Sequence, residues 1–104
     1  TAGAAIERHP AFPNRVNVEF IRVVARDVLD VRFWERGVGE TQSSGTGSAA
    51  ATVAAVATGR TDRRVTVRTP AGELSVAWPD DGASVVLVAP ARSVYRGEWL
   101  LPTD

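Results

Sequence analysis

The chain has 104 residues, twelve basic and twelve acidic, and this balance argues against a nucleic-acid or anionic-membrane partner. It has no cysteine and only one histidine, His9, so neither a disulfide framework nor a thiolate or multi-histidine metal site can be drawn. No apolar run approaches the roughly 18 residues of a membrane helix, and the length predicts a single domain over residues 1–104.

Two strands are predicted first. Residues 15–25 alternate apolar and polar side chains, with Val16, Val18 and Phe20 on one face, a pattern typical of a strand. After a short turn, residues 29–34 alternate in the same way and predict a second strand.

A loop and a helix follow. Residues 37–47 are rich in Gly, Ser and Thr, which favours a loop. Residues 48–58 are mostly alanine and valine, and Gly59 stands where a helix ends. No charged residue occurs on any face of this helix, so we expect it to be buried all round.

Further strands are predicted over residues 64–69, 73–78 and 84–89, with a last extended segment at 92–100. Turns rich in Pro, Gly and Asp separate the first three. The order of elements predicts an α+β fold, in which a curled, mostly antiparallel, barrel-like sheet wraps around one buried central helix.

The chemistry is expected between Glu35 and Gly47. Alternation puts Glu35 on the same face as the apolar residues of the second strand. A carboxylate at the end of a core-facing row is costly unless a cation meets it. Two interpretations stay open: Arg36 or another arginine pairs with Glu35 for structure, or Glu35 holds the ammonium group of a ligand.

The Gly-rich loop leads into the N-terminus of the predicted helix, where unpaired amides carry the positive end of the helix dipole. Gly45 and Gly47 would let a ligand carboxylate or phosphate approach that backbone closely. The simpler interpretation is that Ser44, Thr46 or Ser48 caps the helix.

Together these segments resemble a known family. The runs FPNRVNVEF (12–20) and WERGVGET (34–41), followed by Gly45-Thr46-Gly47 and an alanine-rich helix, look like the C-terminal half of diaminopimelate epimerases. The resemblance implies two similar domains, each a sheet around a central helix, with the ligand between them. With Thr1 at its start and no methionine, the chain is expected to be a piece of such a protein.

The resemblance also implies roles for individual residues. Asn17, Glu35 and Arg36 fall where the family binds the amino and carboxylate groups of its substrate, and Glu35 falls at a position important for catalysis. Gly45 and Thr46 match the backbone that receives the α-carboxylate. The family uses no cofactor: two cysteines, one from each domain, face opposite sides of the substrate α-carbon.

The sequence departs from this pattern at Ser44, which stands where the family has its cysteine. A serine hydroxyl is far harder to ionise than a thiol and needs an activating partner to act as a base. Ser44 can still deliver a proton through its hydroxyl or hold a water molecule.

Three functions therefore stay open. The first is the C-terminal domain of an amino-acid epimerase or racemase, with diaminopimelate as the expected substrate. The second is a related isomerase or dehydratase in which Ser44 has a changed role, and the third is a non-catalytic amino-acid-binding or structural domain. The expected partners are an amino acid and an N-terminal domain of the same protein, with a homodimer as one expected assembly. The expected location is cytoplasmic, and the chain alone, which supplies one face of the site, is expected to be inactive.

Overall fold

The computed structural model describes residues 1–102. In chain order its elements are α1 (Ala2–Glu7), β1 (Val18–Ala25), β2 (Val28–Glu35), β3 (Gly39–Thr41), α2 (Gly45–Ala57), β4 (Arg64–Thr69), β5 (Gly72–Ala77) and β6 (Val86–Val88). The predicted helix and the five predicted strands up to residue 89 are confirmed within a few residues. Helix α1 and strand β3 were not predicted.

The strands form one mixed sheet in the order β1-β2-β4-β5-β6, and β3 pairs with the end of β2. All neighbouring strands are antiparallel except β2 and β4, which run parallel and are joined through α2. The sheet is not closed, because β1 and β6 are its two edges. The expected α+β class and mostly antiparallel curled sheet are confirmed.

Helix α2 packs against one face of this sheet and closes the core. The buried apolar side chains come from the helix and from three strands: Leu29, Val31, Phe33, Ala51, Ala55, Val65, Val67 and Val76. The expectation that the helix is buried all round is wrong for residues 1–102, since Ala50 and Ala54 on its opposite face are exposed. The reason is that the sheet covers one side of the helix, and alanine exposes little apolar surface on the other.

Helix α1 is short and lies against the end of β2. The hydroxyl of Thr1 caps it by accepting from the Ala4 N–H, at 3.4 Å. Gly3 packs so closely on the Trp34 ring that a Cβ at Gly3 would lie 2.6 Å from Trp34 Cδ2. Six residues are too few to show a helical period, so α1 is recognisable only from its packing.

The segment predicted as extended over residues 92–100 pairs with no described strand. Its large side chains are solvent-exposed, with 89% of Tyr95 and 85% of Trp99 accessible. Among the helices of residues 1–102, none has the length and apolar character to cross a membrane.

Candidate active site

The candidate site lies on the sheet face that looks toward the N-terminus of α2. Strand register places Glu19 opposite Phe33, whose ring is buried beneath the helix. Directly opposite residues of an antiparallel pair share a face, and so do residues two apart on one strand. Glu19 and Glu35 therefore point to the same side of the sheet, in front of the helix.

Asn17 holds the turn that follows Glu35. Its Oδ1 atom accepts a hydrogen bond of 2.7 Å from the backbone N–H of Arg36. The Asn17 NH2 group makes no hydrogen bond within residues 1–102, so it is free to donate to a ligand. The Arg36 guanidinium is exposed and donates to the carbonyl oxygen of Asn14 at 3.3 Å.

Glu35 is half-buried, and its Oε1 atom accepts a hydrogen bond of 2.7 Å from the hydroxyl of Thr41 on β3. None of the ion pairs formed within residues 1–102 involves Glu35. The structural pairing with Arg36 is therefore absent, because Arg36 turns toward Asn14. This arrangement favours the interpretation that Glu35 is available to a ligand ammonium.

Glu19 is a second carboxylate at the site, and it was not predicted from the sequence. Its Oε1 atom lies 2.9 Å from where a Cβ on Gly47 would stand. Burial, and then the negative charge of Glu35, raise the pKa of the Glu19 carboxyl above its usual range. The signal was present in the alternation of β1, which puts Glu19 on the face opposite to Val18 and Phe20.

Ser44 is the N-cap of α2. Its Oγ atom accepts a hydrogen bond of 3.0 Å from the Gly47 N–H, and its carbonyl accepts from Ser48 N–H at 2.9 Å. The capping interpretation is thus confirmed for Ser44. Within residues 1–102 the amides of Gly45 and Thr46 have no hydrogen-bond partner, and these are the two that the resemblance assigns to a carboxylate.

Gly47 has a packing role that differs from the predicted one. We expected it to give a ligand access to the helix backbone, but it is buried. A Cβ at this position would come within 2.9 Å of Phe33 Cδ1 as well as of the Glu19 carboxylate. The missing side chain therefore lets α2 approach the sheet. The residues of this helix N-terminus that a ligand can reach from solvent are Gly45 and Thr46, which are exposed.

The candidate site thus brings two kinds of polar group together at one end of the domain. Carboxylates without a cationic partner can receive an ammonium group, and free amides at a helix N-terminus can receive a carboxylate. The two kinds of group lie close together, since the Glu19 carboxylate approaches the place where a Gly47 Cβ would stand and the Gly47 N–H donates to Ser44 Oγ. Across residues 1–102, no group of three or more His, Asp or Glu side chains is arranged to hold a metal ion.

The chain is similar in sequence to known proteins of one family. A family model described as "Diaminopimelate epimerase" matches residues 1–94. The chain is 52% identical over 98 residues to the diaminopimelate epimerase of Desulforudis audaxviator, covering 94% of this chain and 35% of that protein. It is 52% identical over 99 residues to that of Pelotomaculum thermopropionicum, covering 95% and 35%.

A third relative, the diaminopimelate epimerase of Moorella thermoacetica, is 48% identical over 101 residues, which cover 97% of this chain and 36% of the relative. The chain thus spans about a third of the length of the relatives that it matches. The matched family model covers most of the chain, including the two runs of residues that carry the candidate site. The chain belongs to the diaminopimelate epimerase family.

Proposed function

We propose that the chain is the C-terminal domain of a cofactor-independent, cytoplasmic diaminopimelate epimerase. The reaction interconverts LL- and meso-diaminopimelate, a step of lysine and cell-wall biosynthesis, by removing the α-proton and returning it to the other face. The names of the relatives support this substrate. The observation that carries the proposal is that carboxylates without a cationic partner and free helix-terminal amides lie at one end of the domain.

In this proposal the substrate is held by its charged groups. Glu35 receives the ammonium group. The amides of Gly45 and Thr46 receive the α-carboxylate, and the free NH2 group of Asn17 and the guanidinium of Arg36 add further donors. Loss of the α-proton leaves negative charge that spreads onto the carboxylate, where the helix-terminal amides stabilise it.

Proton transfer at this face is assigned to Ser44, next to those amides. The α C–H electron pair stays on carbon as the proton leaves to a base on one face, and carbon then takes a proton from a donor on the other. Ser44 suits the donor role, because a hydroxyl releases a proton to a carbanion more readily than it ionises in water. A second domain of the same protein supplies the opposite face.

A second candidate is an amino-acid-binding domain of the same family without catalysis. The specific observation that favours it is the Ser44 Oγ atom, which already accepts the Gly47 N–H as a helix cap. If capping is the whole role of Ser44, alanine at this position costs about 1 kcal/mol of stability and nothing else.

The variant Ser44→Cys in the complete protein separates the two candidates. A thiol at a helix N-terminus ionises more readily than a hydroxyl. We therefore expect the rate at which the α-proton of diaminopimelate exchanges with deuterium from heavy water to rise at least about tenfold, equivalent to ~1.4 kcal/mol of barrier. Ser44→Ala is the matched control, with reduced stability and no gain in exchange. Unchanged exchange in Ser44→Cys, together with a purely stability-related loss in Ser44→Ala, would select the binding domain.

A further inference from the structure

Glu7, the last residue of α1, is the one buried carboxylate among residues 1–102, with 5% of its surface exposed. It lies outside the set of groups assigned above to substrate. A buried carboxylate is costly to the fold unless hydrogen bonds or a cation compensate it. Its partners therefore indicate which part of the structure the buried carboxylate stabilises.

All three partners of Glu7 surround the turn that carries Arg36. Glu7 Oε1 accepts from the indole N–H of Trp34, and Oε2 accepts from the backbone N–H of Gly37, each at 2.9 Å. The Arg15 guanidinium lies 3.5 Å from Oε2. These hydrogen bonds, the one from Trp34 first and the one from Gly37 next, lower the pKa of Glu7, so the carboxylate is charged at neutral pH.

The turn itself depends on side chains from elsewhere in the chain. Two successive amides are held this way: Arg36 N–H by Asn17 and Gly37 N–H by Glu7. Gly37 has a φ of +76°, in the left-handed region that the turn requires. Without Glu7, the Gly37 N–H loses its acceptor, and the turn keeps the bond from Arg36 N–H to Asn17 and its own backbone bond of 3.1 Å from Val38 N–H to the Glu35 carbonyl.

We propose that Glu7 is a positioning residue, which fixes the Arg36-Gly37 turn so that Asn17 and Arg36 present their free donors to the substrate. The inference rests on the proposed function for the identity of the ligand, and on the contacts of Glu7 for the mechanism. Glu7 itself does not touch the ligand. Loss of Glu7 should therefore lower the affinity for the substrate. This loss should come from the missing bond to Gly37 rather than from the missing bond to Trp34.

Three variants of the complete protein test this assignment. Glu7→Leu removes both acceptors and should raise the KM for diaminopimelate about tenfold while kcat stays within about threefold, the pattern of lost uniform binding. Glu7→Gln should keep a KM near that of the wild type, because its amide oxygen can take the Oε2 position beside Gly37 and Arg15, and only the bond from Trp34 is lost. Trp34→Phe removes the indole N–H together with part of the ring but leaves the bond from Gly37 to Glu7 in place. It is the control for a loss of melting temperature similar to that of Glu7→Leu.

Amide hydrogen exchange of Gly37 gives a readout that does not need turnover. It should accelerate about tenfold in Glu7→Leu and stay near wild type in Glu7→Gln and Trp34→Phe. If Glu7→Leu does not fold, Glu7→Ser, whose side chain is too short to reach Gly37, takes its place. Equal KM and Gly37 exchange in Glu7→Leu and Trp34→Phe would overturn the assignment. If the wild type neither binds nor turns over diaminopimelate while Glu7→Leu still accelerates Gly37 exchange, the proposed substrate is refuted instead.

Discussion

The Asn17 side chain and the Arg36 backbone are joined by a hydrogen bond of 2.7 Å, in which Asn17 Oδ1 is the acceptor. This bond fixes the orientation of the Asn17 amide group. The oxygen is committed to the turn, and the NH2 group is the end that is left for a ligand. A donor held in this way suits a carboxylate and not an ammonium group.

Asn17→Asp separates these two tasks of the side chain. The new carboxylate can still accept the Arg36 N–H, so we expect a melting temperature close to that of the wild type. It replaces the NH2 donor by a negative charge, so the KM for diaminopimelate in the complete protein should rise at least about tenfold. Asn17→Ala, which loses both tasks, should lower the melting temperature as well. A wild-type KM in Asn17→Asp would contradict carboxylate recognition by Asn17.

Glu19→Gln should change the dependence of stability on pH. The folded-state pKa of Glu19 is raised, so in the wild type the folded state binds its proton more tightly than the unfolded state does. Stability therefore falls as pH rises from the ordinary glutamate pKa through the raised one. Glutamine removes this loss. We expect Glu19→Gln to melt higher than wild type at pH 7, and the difference to vanish below about pH 4.

Thermal melts of the two proteins across this pH range provide the measurement. Glu40→Gln is a suitable control, because Glu40 is exposed and lies outside the site. A difference between Glu19→Gln and wild type that stays constant with pH would mean that neither burial nor the charge of Glu35 raises the pKa of Glu19.

Gly47→Ala tests the close approach of α2 to the sheet. Its Cβ would meet both Phe33 and the Glu19 carboxylate at 2.9 Å, so one of them must move. We expect a loss of about 1–3 kcal/mol in the free energy of unfolding, as for other overpacked sites. Gly45→Ala is the matched control: its Cβ would meet only Leu87, at an ordinary 3.8 Å. Chemical denaturation of both variants checks the comparison, and equal losses would argue against this packing.

Ala51→Asp and Ala50→Asp test whether α2 buries one face only. Ala51 is 2% exposed and packs in the core, whereas its neighbour Ala50 is exposed. An unpaired charge at Ala51 should cost more than about 3 kcal/mol, while the same charge at Ala50 should change stability by less than about 0.5 kcal/mol. Equal destabilisation of the two variants would show that the helix is covered on both sides.

Local pattern was enough to predict much of the fold. Alternation along β2 correctly put Glu35 on the helix side of the sheet, because a strand repeats every two residues whatever surrounds it. The alanine-rich run correctly predicted α2. Its lack of charge did not reveal the exposed face, since small apolar residues tolerate both environments.

The features that the sequence did not predict depend on contacts between distant residues. Glu7 is buried by Trp34 and Gly37, which lie far from it in the chain, and nothing in the local pattern around Glu7 indicates them. Strand β3 has three residues inside a Gly-rich loop, and it exists because it pairs with the end of β2. The parallel pairing of β2 with β4 is a matter of topology, which periodicity does not encode.

That parallel pairing also affects how the domain folds. The hairpins β1–β2 and β4–β5 are local and can form within microseconds, but Leu29 and Val67 become neighbours only after the chain between them has closed into a long loop. Ser44 and the amides beside it belong to that connection. The candidate site should therefore form late in folding. A ligand that binds there should stabilise the whole domain.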